Sequence, residues 1–189
     1  MTGSSLTEFG LVDLDKVDPT INLDIRYATA DNFLGQVLYP VARALLHPTV
    51  AQQLKQVQMD LLSQGLSLRV YDAYRPLSVQ RKMWEFLPDD RYIADPQQGS
   101  RHNRACAVDV TLLDSGTGFA LDMGTAFDDF SEHSHTHYPG IPPLARANRL
   151  FLQSIMQKYG FTGLATEWWH FDAQNWQSYP ILDIPLDSN

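Results

Sequence analysis

Two short segments, about sixty residues apart, bring together side chains that could hold a metal ion and work on a water beside it. The first runs Ser100-Arg101-His102-Asn103-Arg104-Ala105-Cys106-Ala107-Val108-Asp109, and the second is Glu167-Trp168-Trp169-His170-Phe171. His102, His170 and Asp109 offer two imidazoles and a carboxylate, a set that could hold Zn²⁺ with one position left open. Glu167 is a further carboxylate that could act on a water in that position. Taken singly, these residues also have plainer uses. Asp109 could be bonded to backbone amides or to an arginine, and a lone His102 could be an ordinary surface or core residue.

Chain geometry constrains the set. Asp109 lies inside Ala107-Val108-Asp109-Val110-Thr111-Leu112, a mostly apolar run that reads as a buried strand over 107–113. An ionised carboxylate there costs several kcal/mol unless it is paired or bound to metal. Seven extended residues would carry His102 roughly 23 Å from Asp109, whereas ligands of one ion lie a few ångströms apart. The chain from Ser100 to about Ala105 must therefore turn back, and the small residues Ala105, Cys106 and Ala107 permit a close approach. Glu167 and His170, three apart, would share a helix face but oppose each other on a strand. The aromatic composition favours a strand, so Glu167 is expected on the turn leading into it. Trp168 and Trp169 are expected as core.

The elements that must position these groups are legible in outline. Val50, Leu54, Val57 and Leu61 predict a helix after Pro48, capped by Gly65. Leu66, Leu68 and Val70 alternate as a strand entering Asp72, and 78–86 reads as a short helix beyond Pro76. A further helix is predicted from near Pro143 to Gly160, with Leu144, Ala147, Phe151, Ile155 and Met156 as its apolar stripe. Helices and strands mix without a βαβ rhythm, so the expected class is α+β, with residues 1–189 as one domain.

Composition narrows the partners. The chain has 189 residues, 44% hydrophobic and 19% charged, which is ordinary globular usage. A net charge of −8 argues against nucleic acid and suits a small-molecule substrate. The one cysteine, Cys106, excludes an internal disulfide and a cysteine metal site, and packing among apolar neighbours is its expected use. No stretch approaches the roughly 20 apolar residues of a membrane span. The start lacks a secretory pattern, so cytoplasmic location is the default expectation.

With these segments in view, the sequence resembles the D-alanyl-D-alanine dipeptidases of the vancomycin-resistance type, in the zinc D,D-peptidase superfamily that shares its fold with the Hedgehog signalling domain. The pattern Ser-x-His-x-x-Gly-x-Ala-x-Asp matches Ser100 to Asp109 with one departure, and Glu-x-x-His is matched by Glu167 to His170. Tyr27-Ala28-Thr29-Ala30-Asp31-Asn32-Phe33, Tyr74-Arg75-Pro76 and Met123-Gly124-Thr125-Ala126-Phe127-Asp128 match as well. Five matches in order make chance similarity a poor explanation.

The resemblance implies a small, mostly antiparallel sheet flanked by helices, and one Zn²⁺ held by His102, Asp109 and His170. It implies Glu167 as general base and then general acid, and Arg75 as the donor to the scissile carbonyl oxygen. Tyr27 and Asp128 would meet a dipeptide's ammonium and Ser100 its carboxylate. The residues alone allow Arg75 a structural ion pair with Asp72, and allow Asp128 membership of an acidic surface run with Asp129 and Glu132. Ala105 stands where the family has Gly, which puts the geometry of the turn in question. Arg101, a bulky cation beside the carboxylate end, is expected to face solvent more than substrate.

The implied reaction is hydrolysis of D-alanyl-D-alanine. A D,D-carboxypeptidase or endopeptidase trimming peptidoglycan stems is the alternative, disfavoured by the paired end-recognition residues. A zinc-stabilised module without catalysis is a third reading, weakened by the presence of both Glu167 and Arg75. The run His133, His135 and His137 invites a second metal site, although its Ser-, Thr-, Pro- and Gly-rich surroundings read as a loop.

Overall fold

The structure is a computed structural model that describes residues 10–188. In chain order its elements are β1 (Val12–Asp13), α1 (Leu14–Val17), β2 (Asn22–Leu23), β3 (Leu45–Leu46), α2 (Pro48–Ser63) and β4 (Leu66–Asp72). There follow α3 (Leu77–Phe86), β5 (Ala107–Asp114), α4 (Pro143–Lys158), β6 (Phe161–Gly163) and β7 (His170–Ala173). The main sheet has the order β2-β4-β5-β7-β6; β2 runs parallel to β4 and the other neighbours are antiparallel. β1 and β3 form a separate antiparallel pair. The α+β class with a mostly antiparallel sheet is thus observed.

α2 forms where the apolar spacing requires it. Val50, Leu54, Val57 and Leu61 are buried, joined by Ala51 and Gln58. Pro48 opens the helix, where its missing N–H costs nothing, and Gly65 follows it with φ of +76°. Gln58 is the one polar group on that face, and it is satisfied: its amide donates to Ser67 Oγ and accepts from the Leu68 N–H. Val108, Val110 and Leu112 of β5 join the hydrophobic cluster that includes α2. The alternate positions, including Asp109, turn to the other side of the sheet.

The extent of α4 agrees with its sequence pattern, and so does the second half of its apolar stripe, Phe151, Ile155 and Met156, but the first half does not. The buried residues are Ala145, Arg149, Leu152, Ile155 and Met156, while Leu144 is 67% exposed and Ala147 also faces outward. The reason is Arg149. Its guanidinium is buried and donates to the carbonyls of Met123, His133 and His135. A charged residue therefore occupies the centre of the packed face and shifts the register that hydrophobicity alone suggests. No helix among the described residues is long and apolar enough to cross a membrane.

The chain turns back before β5 through a 3₁₀ turn at His102–Arg104, closed by Ala105 at φ +50°, ψ +35°. Ala105 is in the left-handed region, where a Cβ costs roughly 1–2 kcal/mol relative to the right-handed conformation. Its N–H donates to the His102 carbonyl and its own carbonyl accepts from the His47 N–H, so the turn is held despite the strain. Replacing Ala105 by glycine relieves that strain but loosens the unfolded chain. The net expectation is a gain of about 1 kcal/mol, seen as a rise of roughly 2–4 °C in melting temperature.

Candidate active site

The sheet gathers the site by register. Asp72 of β4 lies opposite Asp109 of β5, and Asp109 lies opposite His170 of β7. Opposed residues on paired strands share a face, so the three side chains form a row across the sheet. The pairing of β4 with β5 is irregular between Val70 and Asp72. Without that irregularity Tyr71 would face Asp109 and Asp72 would point away, a re-aiming typical of a bulge. His102 joins the row from the 3₁₀ turn. The Arg75 N–H donates to the His102 carbonyl and Asn103 Nδ2 donates to the Arg75 carbonyl, fixing the turn to the end of β4. Asn103 Oδ1 also accepts from the Ser100 N–H at 2.7 Å.

The four side chains read as ligands and base converge. His102 Nε2 is 3.1 Å from His170 Nδ1 and 3.3 Å from Asp109 Oδ1, and His170 Nδ1 is 3.0 Å from the same oxygen. A tetrahedral ion with bonds of roughly 2.0–2.2 Å holds its ligand atoms about 3.3–3.6 Å apart, so this triangle needs to open by only a few tenths of an ångström to form one face of such a site. Among the described residues, His102, Asp109 and His170 are the group able to hold a metal ion. His133, His135 and His137 do not converge, and the first two serve Arg149 through their carbonyls. Glu167 precedes β7, in the turn where its spacing from His170 puts it, and it lines the same cavity.

Each imidazole has its tautomer fixed from behind. His102 Nδ1 donates to the Ala73 carbonyl at 2.7 Å, leaving Nε2 as the lone pair toward the centre. His170 Nε2 donates to Asp172 Oδ1 at 2.8 Å, leaving Nδ1 free. Asp172 is a functional residue that sequence reasoning missed. Its signal was there: it follows His170 by two on a strand, and so shares its face. Arg101 Nε lies 3.5 Å from Asp172 Oδ2, and the guanidinium sits 4.7 Å from the Trp176 ring. Arg101 therefore does not simply face solvent; it braces Asp172 at the cavity edge.

Arg75 makes the ion pair with Asp72 that its spacing allows. Nε and Nη2 donate to Asp72 Oδ2 at 3.0 and 2.8 Å, and Nη1 donates to Gln80 Oε1 at 2.8 Å. Three of its five N–H donors are thereby used, and the residue lines the cavity. Burial is the largest single influence and works against its charge, but Asp72, Tyr27, Tyr39 and Asp109 together outweigh it and keep the guanidinium protonated. The Tyr27 ring lies 5.2 Å from it, and Tyr27 donates its hydroxyl to Asp128 at 3.0 Å. Asp128 is thus half-buried, with its carboxylate turned to Tyr27 and the cavity and not out to an acidic surface. Ser100 Oγ accepts from the His102 N–H at 3.2 Å, which leaves its own proton to donate into the cavity it lines. Trp168 and Trp169 are buried as expected, and Cys106 packs in the core with its thiol pushed up to about 12, chiefly by burial.

The cavity has a volume of about 150 Å³. That is below the roughly 300–1,000 Å³ of drug-sized sites, so it suits a small ligand. Its charge is unbalanced. Burial opposes ionisation of Asp109, yet His102 and His170 beside it hold its carboxyl well below the usual range. Burial opposes the His170 imidazolium too, but Asp172 and Asp109 raise it, so without a cation it carries a proton that a metal would displace. Asp128 is raised well above the ordinary value by burial and by Asp109, and Glu167 is pushed up to about 8, first by burial.

Two expectations follow from these groups. Asp172→Ala should weaken binding of a divalent cation roughly 10–100-fold, measured by competition with a chromophoric chelator. The Glu167 carboxyl, raised from 4.5 to about 8, stabilises the metal-free fold relative to its ionised form below pH 4.5 and loses that contribution as pH rises toward 8. In metal-free protein Glu167→Gln should therefore match the parent's melting temperature near pH 4.5 and exceed it near pH 8. A constant difference across that window would contradict the burial argument.

The geometry agrees with sequence kinship. The Peptidase M15 family, described as D-ala-D-ala dipeptidase, matches residues 7–183. The D-alanyl-D-alanine dipeptidase of Escherichia coli (strain K12) is 44% identical over 173 residues, covering 91% of this chain and 89% of that protein. The protein of the same name from Enterococcus faecalis (strain ATCC 700802 / V583) is 32% identical over 198 residues, covering 94% of each. A third, from Streptomyces coelicolor (strain ATCC BAA-471 / A3(2) / M145), is 30% identical over 201 residues, covering 92% and 96%. A family match over nearly the whole chain, with relatives this similar over nearly their whole length, identifies the chain as a member of the Peptidase M15 family of D-ala-D-ala dipeptidases.

Proposed function

We propose that the chain is one catalytic domain that hydrolyses D-alanyl-D-alanine to two molecules of D-alanine, with a single Zn²⁺ held by His102, Asp109 and His170. The observation that carries this reading is the triangle of two imidazole nitrogens and one carboxylate oxygen, 3.0–3.3 Å on a side, beside Glu167. Bound there, Zn²⁺ would acidify a water and polarise a carbonyl.

The residues divide the remaining work. Glu167 takes a proton from the attacking water as its oxygen bonds to the carbonyl carbon. When the C–N bond breaks, Glu167 returns that proton to the leaving amine. Burial, which favours the protonated carboxyl, suits this second half. Arg75, still charged and with donors to spare, meets the oxyanion that develops on the carbonyl oxygen. Asp128, with Tyr27 donating to it, receives the ammonium of the substrate, and Ser100 donates to its carboxylate. Asp72 holds Arg75 in place and Asp172 holds His170.

Substrate size follows from the walls. The cavity is bounded by the segment 90–94, by Phe130, and by Leu164 and Thr166. A volume of about 150 Å³ favours a free dipeptide over a long peptidoglycan stem.

Zinc-loaded protein should release D-alanine from D-alanyl-D-alanine and leave L-alanyl-L-alanine intact; a chelator should stop turnover and added Zn²⁺ should restore it. Glu167→Ala should retain zinc, measured by elemental analysis, while turnover falls at least roughly 10²–10⁴-fold. A zinc-replete parent inactive on every D,D-dipeptide would overturn the proposal.

A further inference from the structure

Gln80 lies in the first turn of α3, and its side chain is fully buried. Its Oε1 accepts from Arg75 Nη1 at 2.8 Å, and its Nε2 donates to the Ala94 carbonyl at 2.7 Å. The amide can sit only one way round, because a guanidinium only donates and a carbonyl only accepts. Ala94 ends the 90–94 wall of the cavity. That wall is otherwise held by its own turn, where the Tyr92 and Ile93 N–H groups donate to the Asp89 carbonyl, and by Tyr92 stacking on Phe130 at 5.1 Å. Among the described residues the Arg75 guanidinium has one other hydrogen-bonding partner, Asp72, which holds its Nε–Nη2 edge. The Nη1 corner is set by Gln80 alone among the described residues.

We infer that Gln80 is a positioning residue that ties the oxyanion donor Arg75 to the cavity wall, so that one amide sets both the donor's aim and the wall's distance from it. This rests on the proposed dipeptidase reading, in which Arg75 meets the carbonyl oxygen. The two hydrogen bonds make separable demands. The bond to Arg75 matters when charge develops on the substrate oxygen, and therefore affects kcat. The bond to Ala94 shapes the cavity in which the substrate waits, and therefore affects KM.

Two substitutions divide these roles. Gln80→Leu keeps the bulk and removes both bonds. Gln80→Glu keeps an acceptor for Arg75 but offers the Ala94 carbonyl no hydrogen. Zinc-loaded full-length protein is assayed on D-alanyl-D-alanine, with zinc content and melting temperature measured alongside. Gln80→Leu is expected to lose roughly 10–100-fold in kcat with zinc content unchanged, because a misaimed donor loses most of its transition-state effect. Gln80→Glu is expected to keep kcat within about threefold of the parent while KM rises about tenfold. The inference is overturned if Gln80→Leu retains kcat within about threefold, or if Gln80→Glu loses kcat as deeply as Gln80→Leu. Should Gln80→Leu not fold, Gln80→Glu decides alone: a raised KM with kcat kept supports the inference, and any other split overturns it. An inactive parent would count against the dipeptidase reading itself, whereas an active parent with the wrong split counts only against Gln80.

Discussion

Buried negative charge is the constraint on which this site depends. Asp72, Asp109, Glu167 and Asp172 are buried around one small cavity, and the half-buried Asp128 lines it. Ionised carboxylates so placed repel one another and are poorly solvated, and each needs a specific partner or a proton. Arg75 neutralises Asp72, and the imidazoles of His102 and His170 flank Asp109. Asp172 is shared between His170 and Arg101. Glu167 and Asp128 are left over, and burial raises both. In the proposed reading, a divalent cation at the centre and an ammonium at Asp128 would complete the balance.

The sheet supplies the rigidity this arrangement requires. Three of the groups sit on adjacent strands in one lateral row, and hydrogen-bonded ladders hold strands far more firmly than a loop could. The loop-borne groups are tied to that row through backbone contacts. Asn103 and the Arg75 N–H fix the His102 turn to the end of β4, and Ala73 and Asp172 each hold the far nitrogen of one imidazole. Strain is accepted where it serves the approach. Among the described residues Ala105 and Asp128 are the two non-glycine residues with positive φ, and each lies in a segment that carries a side chain into the cavity.

Much of this was legible in the residues. The strand holding Asp109, the turn that brings His102 back to it, and the position of Glu167 ahead of the last strand all follow from spacing and apolar alternation. The first half of the α4 face was not legible, because Arg149 packs inward for the sake of three carbonyls that belong to a distant loop. Arg101 was misjudged for a related reason. Its partners, Asp172 and Trp176, are some seventy residues away and have no sequence relation to it.

Sequence alone determined which groups can do chemistry, since residue type sets what can ligate, donate or take a proton, and periodicity sets the elements that carry them. Tertiary structure alone decided which of those groups meet. The irregular step between Val70 and Asp72 turns Asp72, and with it Arg75, to the side of the sheet that carries Asp109. Gln80, five residues beyond Arg75, meets both the guanidinium and the Ala94 carbonyl of the cavity wall. Strand register and long-range packing are set by the summed burial of the whole chain, and no local window of residues contains that sum.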